Sequence, residues 1–263
     1  MELQGRYTEL QKLGLEVAAF TYDQPELIKK FTDDRKIEFP VLSDHDHTIV
    51  ERYGLLNRQF EPGHRLYGIP HPGTFILSRE GRVLARYFEE EYQYRNTAAS
   101  IALKIGQPVT SMGPPSRQAT RDLDLTAFLT DETVAPGHRF SIVVDITPKA
   151  GRRIVAPGPH SYRVVALAME AGDLLRLYPV SYPASAELRL TPSTARVPVY
   201  RDRFRLIQDL AVVVNDDTRA RAKEPGSTVT LKGVLEYQVC TDQACDAPQQ
   251  VPMSWTVQLK PLG

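Results

Sequence analysis

Along the first hundred residues the apolar positions follow a helical period, broken by short extended runs. Leu3, Tyr7, Leu10 and Leu13 recur near helical spacing and predict a helix over 2–13, stopped by Gly14. Residues 15–21 (LEVAAFT) form a short apolar run of the kind seen in a buried parallel strand. Asp23 is placed to cap a second helix, with Pro25 in its first turn, reaching about Arg35. Residues 39–42 read as a short extended piece, and 47–53 as a helix ended by Gly54. Residues 74–77 and 83–88 read as a hairpin around the turn 78–81. A last helix spans 96–105, and Gly106 closes it.

The texture then changes. Residues 107–120 (QPVTSMGPPSRQAT) are rich in Pro, Gly, Ser and Thr and read as a linker. Beyond it, runs at 140–146, 162–168, 187–190, 197–200, 204–214, 228–240 and 251–259 are punctuated by Pro and Gly without a helical period. That is the pattern of an all-β sandwich. The last run alternates cleanly: Val251, Met253, Trp255, Val257 and Leu259 share one face, Ser254, Thr256 and Gln258 the other. The expected organisation is an α/β domain over 1–106, a linker over 107–122 and an all-β domain over 123–263.

A chain of 263 residues suits two domains. Lys plus Arg and Asp plus Glu number 32 each, so there is no basic excess of the kind that marks a nucleic-acid partner. No apolar run approaches the ~20 residues of a membrane span, and the polar segment 1–12 has no apolar signal core. Asp44, His45, Asp46 and His47 are of metal-ligating types. Neighbours in sequence rarely converge on one ion, and the better reading is a helix cap with solvated imidazoles; no metal is expected. His64 and His71 flank a Pro72 loop and read as ordinary loop residues.

Two cysteines, Cys240 and Cys245, stand with four residues between them near the end of the long run 228–240. A four-residue turn places them opposite each other, at the roughly 4.5–5.5 Å Cα separation of an antiparallel pair; a disulfide accepts roughly 4.4–6.8 Å. If the run is one strand, Leu235, Tyr237 and Val239 share one face. Glu236, Gln238 and Cys240 share the other, more polar one, open to a partner thiol. The spacing leaves a redox pair, a structural bridge and two inert thiols all open. As a structural bridge, a loop of about six residues would add only about 2 kcal/mol. Two thiolates alone are too few for structural zinc.

Two resemblances sharpen this reading. FPVLSDHDHTIVERYG (39–54) followed by PGTFILSREGRV (72–83) resembles the peroxiredoxin and thioredoxin-like group, over about 2–105. The resemblance implies a thioredoxin-like α/β fold, with Pro72 where that group often carries a cis-proline facing the active-site thiol. The chain departs from the group in having no cysteine before Cys240. A thiolate is the nucleophile of peroxide reduction, so this segment does not reduce peroxide by itself. In that fold another strand lies between the strands at 15–21 and 74–77. Two expectations follow: the sequence is truncated and has lost that strand, which we take first, or the two flanking strands pair directly.

YRDR (200–203), VTLKGVLEYQVCTDQACDAPQQVPMSWTVQL (229–259) and HRFSIVVDITPKAGRRIVAPG (138–158) are similar to the N-terminal domain of the thiol:disulfide interchange protein DsbD. This resemblance implies an immunoglobulin-like sandwich with Cys240 and Cys245 as a redox pair and Tyr237 and Gln238 shaping the site. It also implies a thioredoxin-like protein or domain as exchange partner, no cofactor, and a periplasmic setting. Arg153 and Val155 replace the family's His and Tyr, and the gap between the cysteines is slightly shorter. The expected function is thiol–disulfide exchange. The alternative is a non-enzymatic binding module with a degenerate redoxin scaffold and a structural disulfide.

Overall fold

The computed structural model describes residues 2–58, 60–64, 67–88, 93–107, 109, 114–170, 172–189 and 196–261. The chain divides into two compact units, Met1–Gln107 and Pro108–Leu262.

The first unit runs α1 (Glu2–Gly5), α2 (Tyr7–Lys12), β1 (Ala19–Thr21), α3 (Pro25–Arg35), β2 (Val41–Ser43) and α4 (Thr48–Arg52). It continues with β3 (Gly73–Leu77), β4 (Val83–Phe88), β5 (Arg95–Asn96) and α5 (Ala98–Lys104). The single helix expected over 2–13 is two short ones, broken beside Gly5, which costs about 1 kcal/mol in a helix interior. Tyr7 and Leu10 are buried, with the Tyr7 ring edge-on to Phe39, while Leu3 is exposed.

The strand expected over 15–21 contracts to β1, which pairs in parallel with β2, Ala19 opposite Val41. The expected burial fails: β1 and β2 form a two-stranded sheet by themselves, so Phe20 and Leu42 stay exposed. The β3–β4 hairpin is a second two-stranded sheet, so β1 and β3 do not pair directly.

Asp44 is buried and accepts hydrogen bonds from the amides of Ile49 and Val50, both at 2.8 Å, which fixes the start of α4. Thr97 caps α5 by accepting from Ser100 N at 3.1 Å. Among the described residues no group of three His, Cys, Asp or Glu is placed to hold a metal ion. No described helix is long and apolar enough to cross a membrane.

The second unit opens with β6 (Ser116–Ala119), β7 (Leu123–Leu129), β8 (Thr133–Val134), β9 (His138–Pro148), β10 (Arg153–Val155) and β11 (Ala166–Met169). There follow β12 (Leu175–Ser181), β13 (Ala186–Arg189), β14 (Arg196–Tyr200), β15 (Phe204–Val212) and α6 (Asp216–Arg221). The last strands are β16 (Thr228–Tyr237), β17 (Val239–Cys240) and β18 (Gln249–Leu259). Its strands form three ladders, in the orders β12-β15-β9-β7-β6, β11-β16-β18-β8 and β13-β14-β10-β17. The first two face one core. Leu125, Phe140, Ile142, Val144 and Leu206 from one meet Leu231, Leu235, Trp255 and Val257 from the other. β18 alternates as its sequence requires, with residues 251, 253, 255, 257 and 259 buried.

Three expectations need correction here. Part of the stretch read as linker is strand β6, which pairs with β7, Ser116 opposite Ala127. It lies at a sheet edge, where one ladder suffices and polar side chains face water. The run 162–168 starts its strand only at Ala166, because Arg163 N is turned away to donate to the Gln238 side chain. The run 228–240 is not one strand. β16 ends at Tyr237 and pairs with β11 and β18; past Gln238, β17 joins β10 in the other sheet. The helix α6, unforeseen between two β runs, is held by a reciprocal Asn215–Thr218 capping box.

Candidate redox site

The side-chain alternation carries through the switch of sheets at Gln238, with Leu235, Tyr237 and Val239 all in the main core, but past the switch the opposite face is covered by an apolar cluster of its own. Cys240 therefore does not sit on the polar face. It is fully buried among Val155, Leu188, Val197 and Val199, with Tyr162 and Cys245 packed against that cluster. Cys240 and Cys245 form a disulfide, and their Cα atoms are 3.9 Å apart, closer than expected for the pairing. Cys245 is half-buried.

The turn between them closes through Thr241 N donating to Ala244 O at 2.8 Å. The Thr241 hydroxyl accepts from Gln243 N at 3.3 Å and from Ala244 N at 3.2 Å. Past Cys245, Asp246 N donates to Val239 O at 2.8 Å, so both cysteines are fixed from their flanks.

Gln238 works from the switch point. Its Nε2 donates to Asp246 O at 2.8 Å and its Oε1 accepts from Arg163 N at 2.7 Å. One amide thus ties the segment after Cys245 to the loop before β11. An open cavity of about 560 Å³ lies alongside, lined among others by Tyr162, Arg163, Glu236, Gln238 and Pro248.

Tyr237 points the other way, into the core, with its hydroxyl 3.0 Å from Gln249 Oε1 and 3.2 Å from Thr120 Oγ1. Burial pushes its phenol above the ordinary range. Pro72 belongs to the first unit, half-buried directly before β3. An open cavity of about 490 Å³ in that unit is lined by Glu51, Gly54, Leu56, Arg58 and His71.

The sequence reading missed the charged frame of the hairpin. Asp246 accepts from Arg121 Nη2 at 3.0 Å and from Arg152 Nη1 at 3.3 Å. The same two arginines meet the fully buried carboxylate of Asp122, each through its Nε at 3.3 Å. Gln249 Nε2 also donates to that carboxylate, to Oδ2 at 2.8 Å. On the other side, Arg153 Nη2 pairs with Asp242 Oδ1 at 2.8 Å. Reading residues up to 122 as a linker hid Arg121 and Asp122. A linker carries no expectation of a buried acid, and only the Arg-Asp pair beside the first core strand hinted at it.

Comparison with known proteins agrees with the motifs at 39–54 and 72–83. Residues 1–86 match the AhpC/TSA family. Peroxiredoxin Bcp of Escherichia coli K12 is 30% identical over 81 residues, 31% of this chain and 51% of the relative. A putative peroxiredoxin of Haemophilus influenzae is 30% identical over 77 residues, 29% of this chain and 49% of the relative. The chain spans about half the length of the curated relatives it matches. Among solved structures, the N-terminal periplasmic domain of ScsB from Proteus mirabilis aligns with 12% identity and a TM-score of 0.38, covering 56% of this chain and 51% of that one. The N-terminal domain of Neisseria meningitidis DsbD in the reduced form aligns with 15% identity and a TM-score of 0.31, covering 57% and 96%. A segment similar to the AhpC/TSA family is followed in this chain by a strand-rich unit that carries a disulfide.

Proposed function

We propose that the protein carries out thiol–disulfide exchange through Cys240 and Cys245, with a thioredoxin-like protein or domain as partner. The observation that carries this reading is the asymmetry of the bridge. Cys240 is fully buried, whereas Cys245 is half-exposed on a turn braced from several sides. A partner thiolate reaches Cys245 Sγ first. The new sulfur–sulfur bond forms there, the Cys240–Cys245 bond breaks, and its electron pair leaves on Cys240. A second partner thiol then attacks the partner's sulfur in the mixed disulfide and releases Cys245. The net change moves two electrons and two protons, and either direction uses the same steps.

Stability gives little reason for the bridge. A loop of about six residues contributes only about 2 kcal/mol, in a unit whose core already gathers residues of two sheets. The full burial of Cys240 favours the second reading, a binding module with a structural disulfide.

The reduction potential separates the two. A value near roughly −200 mV in glutathione buffers supports exchange, while one below about −300 mV leaves a structural bridge. In the exchange reading, Cys240→Ser accumulates a glutathione mixed disulfide at Cys245, and Cys240→Ser and Cys245→Ser each abolish turnover. Full exchange by either single variant overturns the assignment.

A further inference from the structure

Cys240 is the sulfur whose surroundings least suit an anion. Its side chain lies in an apolar cluster with no exposure, and such burial disfavours a charged sulfur. Yet exchange at Cys245 makes Cys240 the leaving group. One cation stands on the same face. Arg153 is the Cα partner of Cys240 across the antiparallel β10–β17 ladder. Side chains directly opposite in such a pair project together, with Cβ atoms about 4.5–5.5 Å apart.

The Arg153 guanidinium is held at its far end. Nη1 donates to Gly151 O at 3.2 Å, and Nη2 pairs with Asp242 at 2.8 Å. Its Nε is buried and donates to nothing among the described residues. A buried donor without an acceptor costs about 1–3 kcal/mol, so this one calls for an acceptor that the closed disulfide does not offer.

We propose, resting on the exchange reading above, that Arg153 stabilises the Cys240 thiolate. As the partner thiolate bonds to Cys245, negative charge passes from the partner's sulfur to Cys240 Sγ. The Arg153 Nε–H then becomes that sulfur's donor, and no proton transfer is needed in the step. The other ionisable groups around the sulfur are few. Asp242 lies on the turn and Tyr162 on the loop before β11, and Asp246 follows Cys245 but is engaged by Arg121 and Arg152. β13 and β14 contribute Leu188, Val197 and Val199 to the apolar cluster. His160 stands ring to ring with Tyr162 and is held through Nε2 at Ala156 O, 2.9 Å away. Among the described residues Arg153 is the cation in register with Cys240 across the ladder, and Asp242 is its counter-ion.

The test is a pH titration of thiolate ultraviolet absorbance on the full chain in a Cys245→Ser background, which isolates Cys240. Arg153→Gln is expected to raise the titration midpoint by at least one unit, a tenfold loss of thiolate at a given pH, and Arg153→Lys to retain most of the wild-type value. Asp242→Asn frees the guanidinium from its counter-ion and is expected to move the midpoint down, the opposite direction, so a fold defect in Arg153→Gln does not remove the test. With both cysteines present, and at a pH above both midpoints, Arg153→Gln shifts the glutathione equilibrium tenfold toward the disulfide, about 30 mV. Unchanged midpoints in Arg153→Gln and Asp242→Asn overturn the proposal. If the wild-type disulfide resists glutathione while the midpoints move as stated, the exchange reading falls and the Arg153 assignment stands.

Discussion

Asp145 holds a charge that folding hides while leaving its partners wet. Its carboxylate accepts from Arg205 Nε at 2.7 Å, Arg205 Nη2 at 2.8 Å and Arg203 Nη2 at 2.9 Å, yet its own side chain is 7% exposed. Burial pulls its pKa up, but the hydrogen bonds and charges of Arg205 and Arg203 outweigh it, and the result lies below the ordinary 3.8. A depressed carboxyl pKa means stability that is present above 3.8 and lost as pH falls through the folded value. We expect Asp145→Asn to cost about 1–3 kcal/mol at pH 7, toward the lower end because the arginines are solvated. Urea midpoints should differ between variant and wild type at neutral pH and converge at strongly acid pH. Tyr200 mirrors this at the alkaline end. Burial and the nearby Tyr182 push its phenol up from 10.0 to about 12. Its raised value means stability present below pH 10 and lost as pH rises toward about 12. Tyr200→Phe should flatten the unfolding midpoint over that window; an unaltered alkaline slope would count against the assignment.

At the level of elements, the strands that read most easily are those whose two faces meet different solvents. β18 shows its alternation because one face meets the core and the other water. Leu231 sits opposite Trp255 on neighbouring β16 with no exposure, so Leu231→Ala should cost about 2–5 kcal/mol, read from chemical denaturation. The cysteine hairpin was legible in its spacing but not in its orientation. Parity counted along 228–240 put Cys240 on a polar face, and only the crossing from one sheet to another at Gln238 buries it. Local sequence does not encode such a crossing, since Gln238 acts through partners at Arg163 and Asp246. The first unit illustrates the converse. Its runs at 15–21 and 39–42 are apolar enough for buried strands, yet with a single neighbour each they expose Phe20 and Leu42.

At the scale of the whole chain, 32 cations balance 32 anions, and both cysteines lie in the second unit. Residues 108–262 expressed alone should therefore show the same glutathione equilibrium as the full chain; a tenfold difference would mean that the first unit takes part in setting it. The sheet crossing at Gln238 also has a kinetic consequence. Asp246 N is bonded to Val239 O beside the bridge, while Val155 N is bonded to Gln238 O at the crossing itself. The first amide should exchange with deuterium faster once the cysteines are reduced, and the second should keep its protection until β10 parts from β17. These two amides are thus separate clocks, one for the opening of the bridge and one for the opening of the sheet that carries it.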